Sequence, residues 1–422
     1  MNIVFDLDGT LYDANETSVL STQMAFEEMN LGTISPQLIT SLLGDTMEDF
    51  CEKVAPGLTN EEHRLLAERI RYFENRLVLE RGRLFDGVYD MLVRLKSQGH
   101  ELAICSNGSD RYVRTVLGTC GIIEMFSYIK TKCLPKTKAD LVGEILDESK
   151  VYSAVVVGDR IHDIEAARNS NLPCIAVSYG YGKDEVYSAD FIAGNPSEIV
   201  KQISKYNIFY EILKKENEAV SPLVIGINGL DTSGKPYFAK DLETFLRSLG
   251  RKTQIISVDD FHNKARVRRQ GHDEIDAYIN NAFNLAALEH ELLKPIKSKE
   301  EVDKTVRLID LDSDTYSNIK HYKVDEETVV IVEGVLLYRE PIIKYFDIKV
   351  FLDIEFDEML RRAEKRDAPK YGPGFLDRYK SKYIPIQMKY INTWNPVESS
   401  DFVIDNNDLE NPRLVKPTQH MT

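Results

Sequence analysis

Two aspartates one residue apart, Asp6 and Asp8, close a short apolar run, Ile3-Val4-Phe5, and Gly9 breaks the pattern directly after them. The run is β-prone and the glycine ends it. Carboxylates so placed sit at a strand's carboxyl end, where open α/β sheets gather their ligands. Alternation along a strand points the two side chains in different directions. One can then attack a phosphorus atom while the other handles protons. Later segments add to the set in order. A second apolar run, Glu101 to Cys105, leads into Ser106-Asn107-Gly108. Lys136 and Lys138 precede a helical pattern that starts at Ala139. A third run, Val155-Val156-Val157, ends in Gly158-Asp159 with Asp163 four residues on.

The series DxDGT, Ser, Lys and GDxxxD over about the first 205 residues resembles the haloacid dehalogenase (HAD) superfamily of phosphohydrolases. The likeness is greatest to its phosphoglycolate phosphatase-like and small-nucleotidase members. It implies an Mg²⁺-dependent phosphatase acting on a small phosphorylated metabolite, a nucleotide or a sugar phosphate, through an aspartyl-phosphate. A phosphate monoester repels a bare carboxylate. A cation at Asp6, Asp159 and the backbone carbonyl of Asp8, with Asp163 beside it, would offset that repulsion. Asp6 is then the nucleophile and Asp8 the acid–base partner. Ser106 offers a hydroxyl to the phosphoryl oxygens, with Asn107 and Gly108 beside it. Lys136 supplies the balancing point charge. Lys138, two residues on, competes for that role.

These residues need elements to hold them. Between about residues 14 and 85 the apolar spacing turns helical, at Val19, Met24, Phe26 and Met29 and again at Leu65, Leu66, Ile70, Phe73 and Leu77. In the family such an insertion is a helical cap that closes over the site and selects the substrate. Arg69, Arg71, Arg76, Arg81 and Arg83 are its candidate contacts to an anion. The expected organisation is a Rossmann-like α/β domain over residues 1–205, a helical linker over 206–220, a second α/β domain over 221–412 and a tail over 413–422. The tail from Lys416 reads as disordered.

The second domain begins with a strand, Leu223 to Ile227, and then Gly229-Leu230-Asp231-Thr232-Ser233-Gly234-Lys235-Pro236. This is a phosphate-loop pattern: backbone amides and a helix amino terminus would hold ATP phosphates, with Lys235 reaching them. Gly229, Ser233 and Gly234 shape the loop. Pro236 stands where a Ser or Thr would supply a metal-binding hydroxyl. It suits the first turn of a helix, but the hydroxyl and one backbone donor are gone. Further on come Asp259-Asp260-Phe261-His262, the buried strand Val329 to Val332 ending in Glu333-Gly334, and an arginine-rich helix with Arg362, Arg366 and Asp367. Residues 221–412 resemble the uridine kinase family of P-loop nucleoside and small-metabolite kinases. The resemblance makes Asp259 the catalytic acid and Glu333 the acid of the second nucleotide-binding strand. It makes Arg362 and Arg366 charge-balancing lid residues, and places His262, Arg268 and Tyr278 at the phosphate acceptor. With Pro236 in the loop, a working kinase and a regulatory nucleotide-binding domain both stay open.

Composition narrows the partners. A net charge of −15 across 422 residues disfavours attraction to phosphate backbones. That counts against a polynucleotide kinase-phosphatase, the rival that also joins two such domains, and nucleic acid is not expected as a partner. The five cysteines, at 51, 105, 120, 133 and 174, lack metal-ligand spacing. Without a leader before residue 6 or an apolar run of membrane length, a reducing cytoplasm and no membrane contact are expected.

Overall fold

The computed structural model describes residues 1–132, 136–218, 221–372 and 374–415; Cys133 and the expected disordered tail from Lys416 lie outside them. The chain divides into two compact units, Met1–Ile203 and Ser204–Thr422. Each is an α/β fold on a six-stranded sheet.

The first sheet comprises β1 (Asn2–Phe5), β2 (Glu101–Ser106), β3 (Tyr128–Thr131), β4 (Ala154–Gly158), β5 (Cys174–Val177) and β6 (Phe191–Ala193). The order is β3-β2-β1-β4-β5-β6, and every neighbouring pair is parallel. All four residues of β1 are buried, as a strand covered on both faces requires. On one face Val4, Ala103 and Val156 share a core with Leu141, Val142 and Ile145 of the helix Lys138–Ser149. Burying each such aliphatic side chain contributes about 1.5–3 kcal/mol. Phe5 pairs with Ile104 on β2 and with Val157 on β4. That register brings Asp6, Ser106 and Asp159 to one edge of the sheet, at three adjacent strand ends.

Between β1 and β2 four helices, Asn15–Glu28, Pro36–Ser41, Met47–Val54 and Asn60–Arg81, bury a core of their own around Phe26, Ile39, Phe50, Leu66 and Ile70. The longest starts with a capping box. Thr59 Oγ1 accepts from Glu62 N at 3.3 Å, and a Glu62 carboxylate oxygen accepts from Thr59 N at 2.8 Å, which satisfies donors the helix leaves unpaired. This insertion is the helical cap the sequence pattern calls for.

The second unit carries β7 (Val224–Gly229), β8 (Thr253–Ser257), β9 (Val302–Asp310), β10 (Thr315–Val324), β11 (Val329–Glu333), β12 (Ile348–Asp353), β13 (Phe402–Asp405) and β14 (Arg413–Val415). Its sheet runs β14-β13-β12-β7-β11-β8 and is parallel except for β14, while β9 and β10 form a separate antiparallel ribbon. Tyr206 and Phe209, from the helix Pro196–Leu213, each lie 5.3 Å from the ring of Phe245, so this stretch packs into the second unit's core. Among the described residues no helix is long and apolar enough to cross a membrane.

Candidate active site

Asp6 follows β1 directly, and its N–H donates to Val157 O at 2.8 Å, which fixes the residue against the end of β4. Gly9, with φ +81°, turns the chain; a side chain there would run into the Asp159 carboxylate. Asp163 lies in the first turn of the helix Ile161–Asn169 and accepts from the N–H groups of Asp159 and Arg160 at 3.1 and 3.0 Å. Asp6, Asp159 and Asp163 are all buried and each presents an oxygen within 4.8 Å of the others. Three buried acids repel one another, and the only cation among the described residues in ion-pair contact with any of them is Lys138. Its Nζ lies 2.7 Å from Asp6 Oδ1 and also contacts Asp163 Oδ1.

Of the two candidate lysines, Lys138 is thus the one that lies against the acids. Lys136 reaches Glu144 on the helix's outer side, with its side chain half exposed. The reason is the cap of that helix: Thr137 Oγ1 accepts from Asp140 N, which makes Lys138 the first helical residue and turns it toward the sheet. Burial works against the Lys138 charge, but Asp163 and Asp6 outweigh it and hold its pKa above the ordinary value. Burial pushes Asp6 up to about 6, with Lys138 opposing and Asp163 adding to the rise. Burial and the neighbouring Asp6 charge push Asp8 up to about 8, even though the Tyr112 hydroxyl donates to its carboxylate at 2.7 Å. Asp8 is not one of the three clustered acids, and its carboxylate is held by Tyr112.

The residues fit a divalent cation. Asp159 Oδ1 is buried without a hydrogen-bond partner, while its other oxygen accepts from Tyr181 N at 2.5 Å. A buried carboxylate oxygen left without a donor is costly, and a hard cation satisfies it.

A cavity of about 290 Å³ opens over Asp6 and is lined by Asp8, Ser106 and Lys132 from the core and by Ser18, Arg71 and Glu74 from the cap. Ser106 Oγ accepts from Gly108 N at 3.0 Å, and Asn107 Nδ2 donates to Gly44 O at 3.1 Å, tying the loop after β2 to the cap. Of the five cap arginines only Arg71 lines the cavity. Arg69, Arg81 and Arg83 pair with Glu28, Glu16 and Asp13, and Arg76 is exposed.

In the second unit β7 runs into the loop 229–235 and the helix Lys235–Ser248, with Gly234 at φ +90° as its cap and Pro236 in the first turn. Lys235 Nζ lies back over the loop, donating to Leu230 O at 2.7 Å and Gly229 O at 3.3 Å. Burial lowers its pKa against the pull of Asp231, Glu333 and Asp259. Arg362 donates to Thr232 O at 3.2 Å and to Asn406 O at 2.7 Å, and Asn406 Nδ2 donates to Ser233 O at 2.6 Å. Thr232 cannot replace the hydroxyl lost at Pro236 in this arrangement, because its own hydroxyl donates to Met359 O at 3.1 Å. Arg366 pairs with Asp367 and approaches Asp231 at 3.7 Å. Glu333 is buried at the end of β11 and accepts from Ser257 Oγ. Asp259 is exposed just beyond β8; His262 Nδ1 lies 2.7 Å from its carbonyl, with the ring against Phe283. Tyr278 packs on Phe283 and Tyr383, and its pKa rises by burial and by the charges of Asp231 and Asp259. Arg268 turns instead to Asp314, in the turn of the β9–β10 ribbon, at 3.6 Å.

Several residues at these sites carry no sequence signal. Tyr112, Tyr181 and Glu74 come from helix or loop positions with ordinary spacing, and Tyr379, whose hydroxyl meets Asp231, comes from a helix far along the chain. Only the helical phase of Ile70 and Leu77 could have placed Glu74 on the inward face.

Residues 3–177 match the family model of haloacid dehalogenase-like hydrolases, and residues 224–404 match that of the phosphoribulokinase / uridine kinase family. The chain is similar to the tyrosine-protein kinase PtkA of Mycobacterium tuberculosis, at 27% identity over 216 residues, 50% of this chain and 72% of that protein. It is similar to the phosphoglycolate phosphatase of Aquifex aeolicus, at 28% identity over 214 residues, 48% of this chain and 97% of that one. A solved structure of a possible uridine kinase from Bacillus stearothermophilus shares 23% identity with a TM-score of 0.38, covering 48% of this chain and 97% of its own.

Proposed function

From a chain that joins a haloacid dehalogenase-like domain to a uridine kinase-like domain, we propose a phosphatase for a small phosphorylated metabolite, working through an aspartyl-phosphate at Asp6. The observation that carries this reading is the meeting of Asp6, Asp8 and Lys138 at one strand end beneath a small cavity. The free oxygen of Asp6 attacks phosphorus while Lys138 holds the other oxygen and keeps the carboxylate ionised. Asp8, pushed up to about 8, carries a proton at neutral pH and gives it to the leaving oxygen as the ester bond breaks. The same carboxylate then takes a proton from the water that attacks the aspartyl-phosphate. Ser106 faces the cavity and donates to a phosphoryl oxygen. Mg²⁺, when bound by Asp6 and Asp159 with Asp163 beside them, neutralises phosphoryl charge.

Phosphate release from a panel of nucleotides and sugar phosphates tests the reading. Asp6→Asn should lower turnover by at least about a thousandfold. Full turnover in that variant would rule out the covalent route.

The second unit's proposed role is binding of nucleotide phosphates at the loop 229–235. Support comes from Lys235 poised over the loop and from Arg362 and Arg366 beside it. Pro236 brings neither a hydroxyl nor an N–H to the loop, so the phosphates meet fewer donors there than a Ser or Thr would give. Calorimetric titration of the full chain with MgATP tests this, and no heat at millimolar nucleotide would overturn it.

A further inference from the structure

The cap wall of the phosphatase cavity carries a charge pattern of its own. Glu74 projects from the helix Asn60–Arg81 into the cavity and is 7% exposed. Its one hydrogen bond is accepted on Oε1, from Ser18 Oγ at 2.9 Å. Among the described residues no lysine, arginine or histidine forms an ion pair with it. The cap's ion pairs among the described residues use other acids: Arg69, Arg71, Arg81 and Lys53 take Glu28, Glu48, Glu16 and Asp45. Arg71, one helical turn from Glu74, is the arginine of this helix that lines the same cavity, and its reach is divided with Glu48 at 3.7 Å. A buried carboxyl that faces a cavity with one oxygen uncommitted is an acceptor waiting for a donor.

We infer that Glu74, oriented by Ser18, is the leaving-group anchor of this phosphatase, and that its substrates carry a hydroxyl or ammonium donor on the organic part rather than a carboxylate. The inference rests on the phosphatase reading of Asp6. The cavity, about 290 Å³, is at the small end for ligand sites, so the class is that of polyol, sugar or amino-alcohol phosphates. The carboxylate of phosphoglycolate would be brought to a cap wall that already holds Asp45, Glu48 and Glu74, with Arg71 the cation on that wall and Lys132 on the core side. Like charges facing one another across a pocket select against such a ligand more strongly than a missing contact would.

The test is steady-state kinetics on the full chain with Mg²⁺ and four esters: glycerol 3-phosphate, phosphoethanolamine, phosphoglycolate and p-nitrophenyl phosphate. The last has no donor on its leaving group and reports the chemical step alone. The wild type should favour glycerol 3-phosphate or phosphoethanolamine over phosphoglycolate in kcat/KM by at least about tenfold. In Glu74→Leu the ratio of kcat/KM for the favoured ester to that for p-nitrophenyl phosphate should fall about ten- to a hundredfold. The loss should be mainly in KM. Both rates come from one preparation, so a loss of folded protein cancels in the ratio. Ser18→Ala should move the same ratio in the same direction by less. Equal or better use of phosphoglycolate by the wild type, or an unchanged ratio in Glu74→Leu, would overturn the inference and leave the phosphatase reading standing. Failure of the wild type to release phosphate from any of the four would overturn both.

Discussion

Replacing Glu74 by glutamine isolates the cost of keeping a carboxyl buried in the cap. Burial raises its pKa from 4.5 to about 7, against the Ser18 hydrogen bond and the charge of Arg71. Below 4.5 the group is protonated in the folded and the unfolded chain alike, and it imposes no penalty. Between 4.5 and 7 the unfolded chain has released a proton that the folded one keeps, so stability falls as pH rises, by about 1.4 kcal/mol per pH unit at most. Above about 7 the penalty levels off near ~3 kcal/mol, and at pH 5.5 it is only about 1 kcal/mol. Glutamine has nearly the same shape, keeps an oxygen for Ser18 and never ionises. Glu74→Gln should therefore stabilise the first unit by about 3 kcal/mol at pH 8 and by about 1 kcal/mol at pH 5.5. The assay is urea unfolding of the full chain read by hydrogen exchange on peptides from the helix Asn60–Arg81, which separates the first unit from the second. A variant-minus-wild-type difference that stays the same at both pH values would refute a buried, perturbed Glu74. A gain in stability beside a loss of substrate selectivity is the pattern of a group kept for function.

Three other outcomes are expected. Lys138→Ala should lower phosphatase kcat at least about a hundredfold, whereas Lys136→Ala, which removes a half-exposed pair with Glu144, should stay within about fivefold; phosphate-release kinetics decide between the two lysines. Pro236→Ser restores a hydroxyl and an N–H to the nucleotide loop and should tighten MgATP binding about tenfold by calorimetry, since one charge-assisted hydrogen bond is of that size. Tyr390→Phe deprives Asn228 Nδ2 and Tyr338 N of a buried acceptor at 2.7 and 2.8 Å. It should cost the second unit about 2 kcal/mol or more in urea unfolding followed by the fluorescence of Trp394, whose ring lies 5.6 Å from Tyr390.

The amino-acid sequence alone determined the class of chemistry and the two folds. Asp6, Ser106, Asp159 and Asp163 are legible because each directly follows, or closely trails, an apolar run. A strand that ends in a polar residue at the carboxyl edge of a parallel sheet leaves few other places for that side chain. The phosphate loop is legible for the same local reason: glycines and a lysine at fixed spacing between a strand and a helix. What only the tertiary structure decided is everything that depends on helical phase or on distant elements meeting. Lys136 and Lys138 differ by two residues, and the cap at Thr137 starts the helix at Lys138 and leaves Lys136 outside it, so Lys138 is the inward one. The cap arginines look alike in sequence, yet three of them are taken by Glu28, Glu16 and Asp13, and Arg71 alone of the five faces the cavity. Asp6 and Asp8 already have different roles at the level of sequence, through the family resemblance. What sets their surroundings apart is Lys138, 132 residues after Asp6 and paired with it, and Tyr112, which donates to Asp8. Charge, burial and pKa are properties of such meetings in space, and no local spacing encodes them.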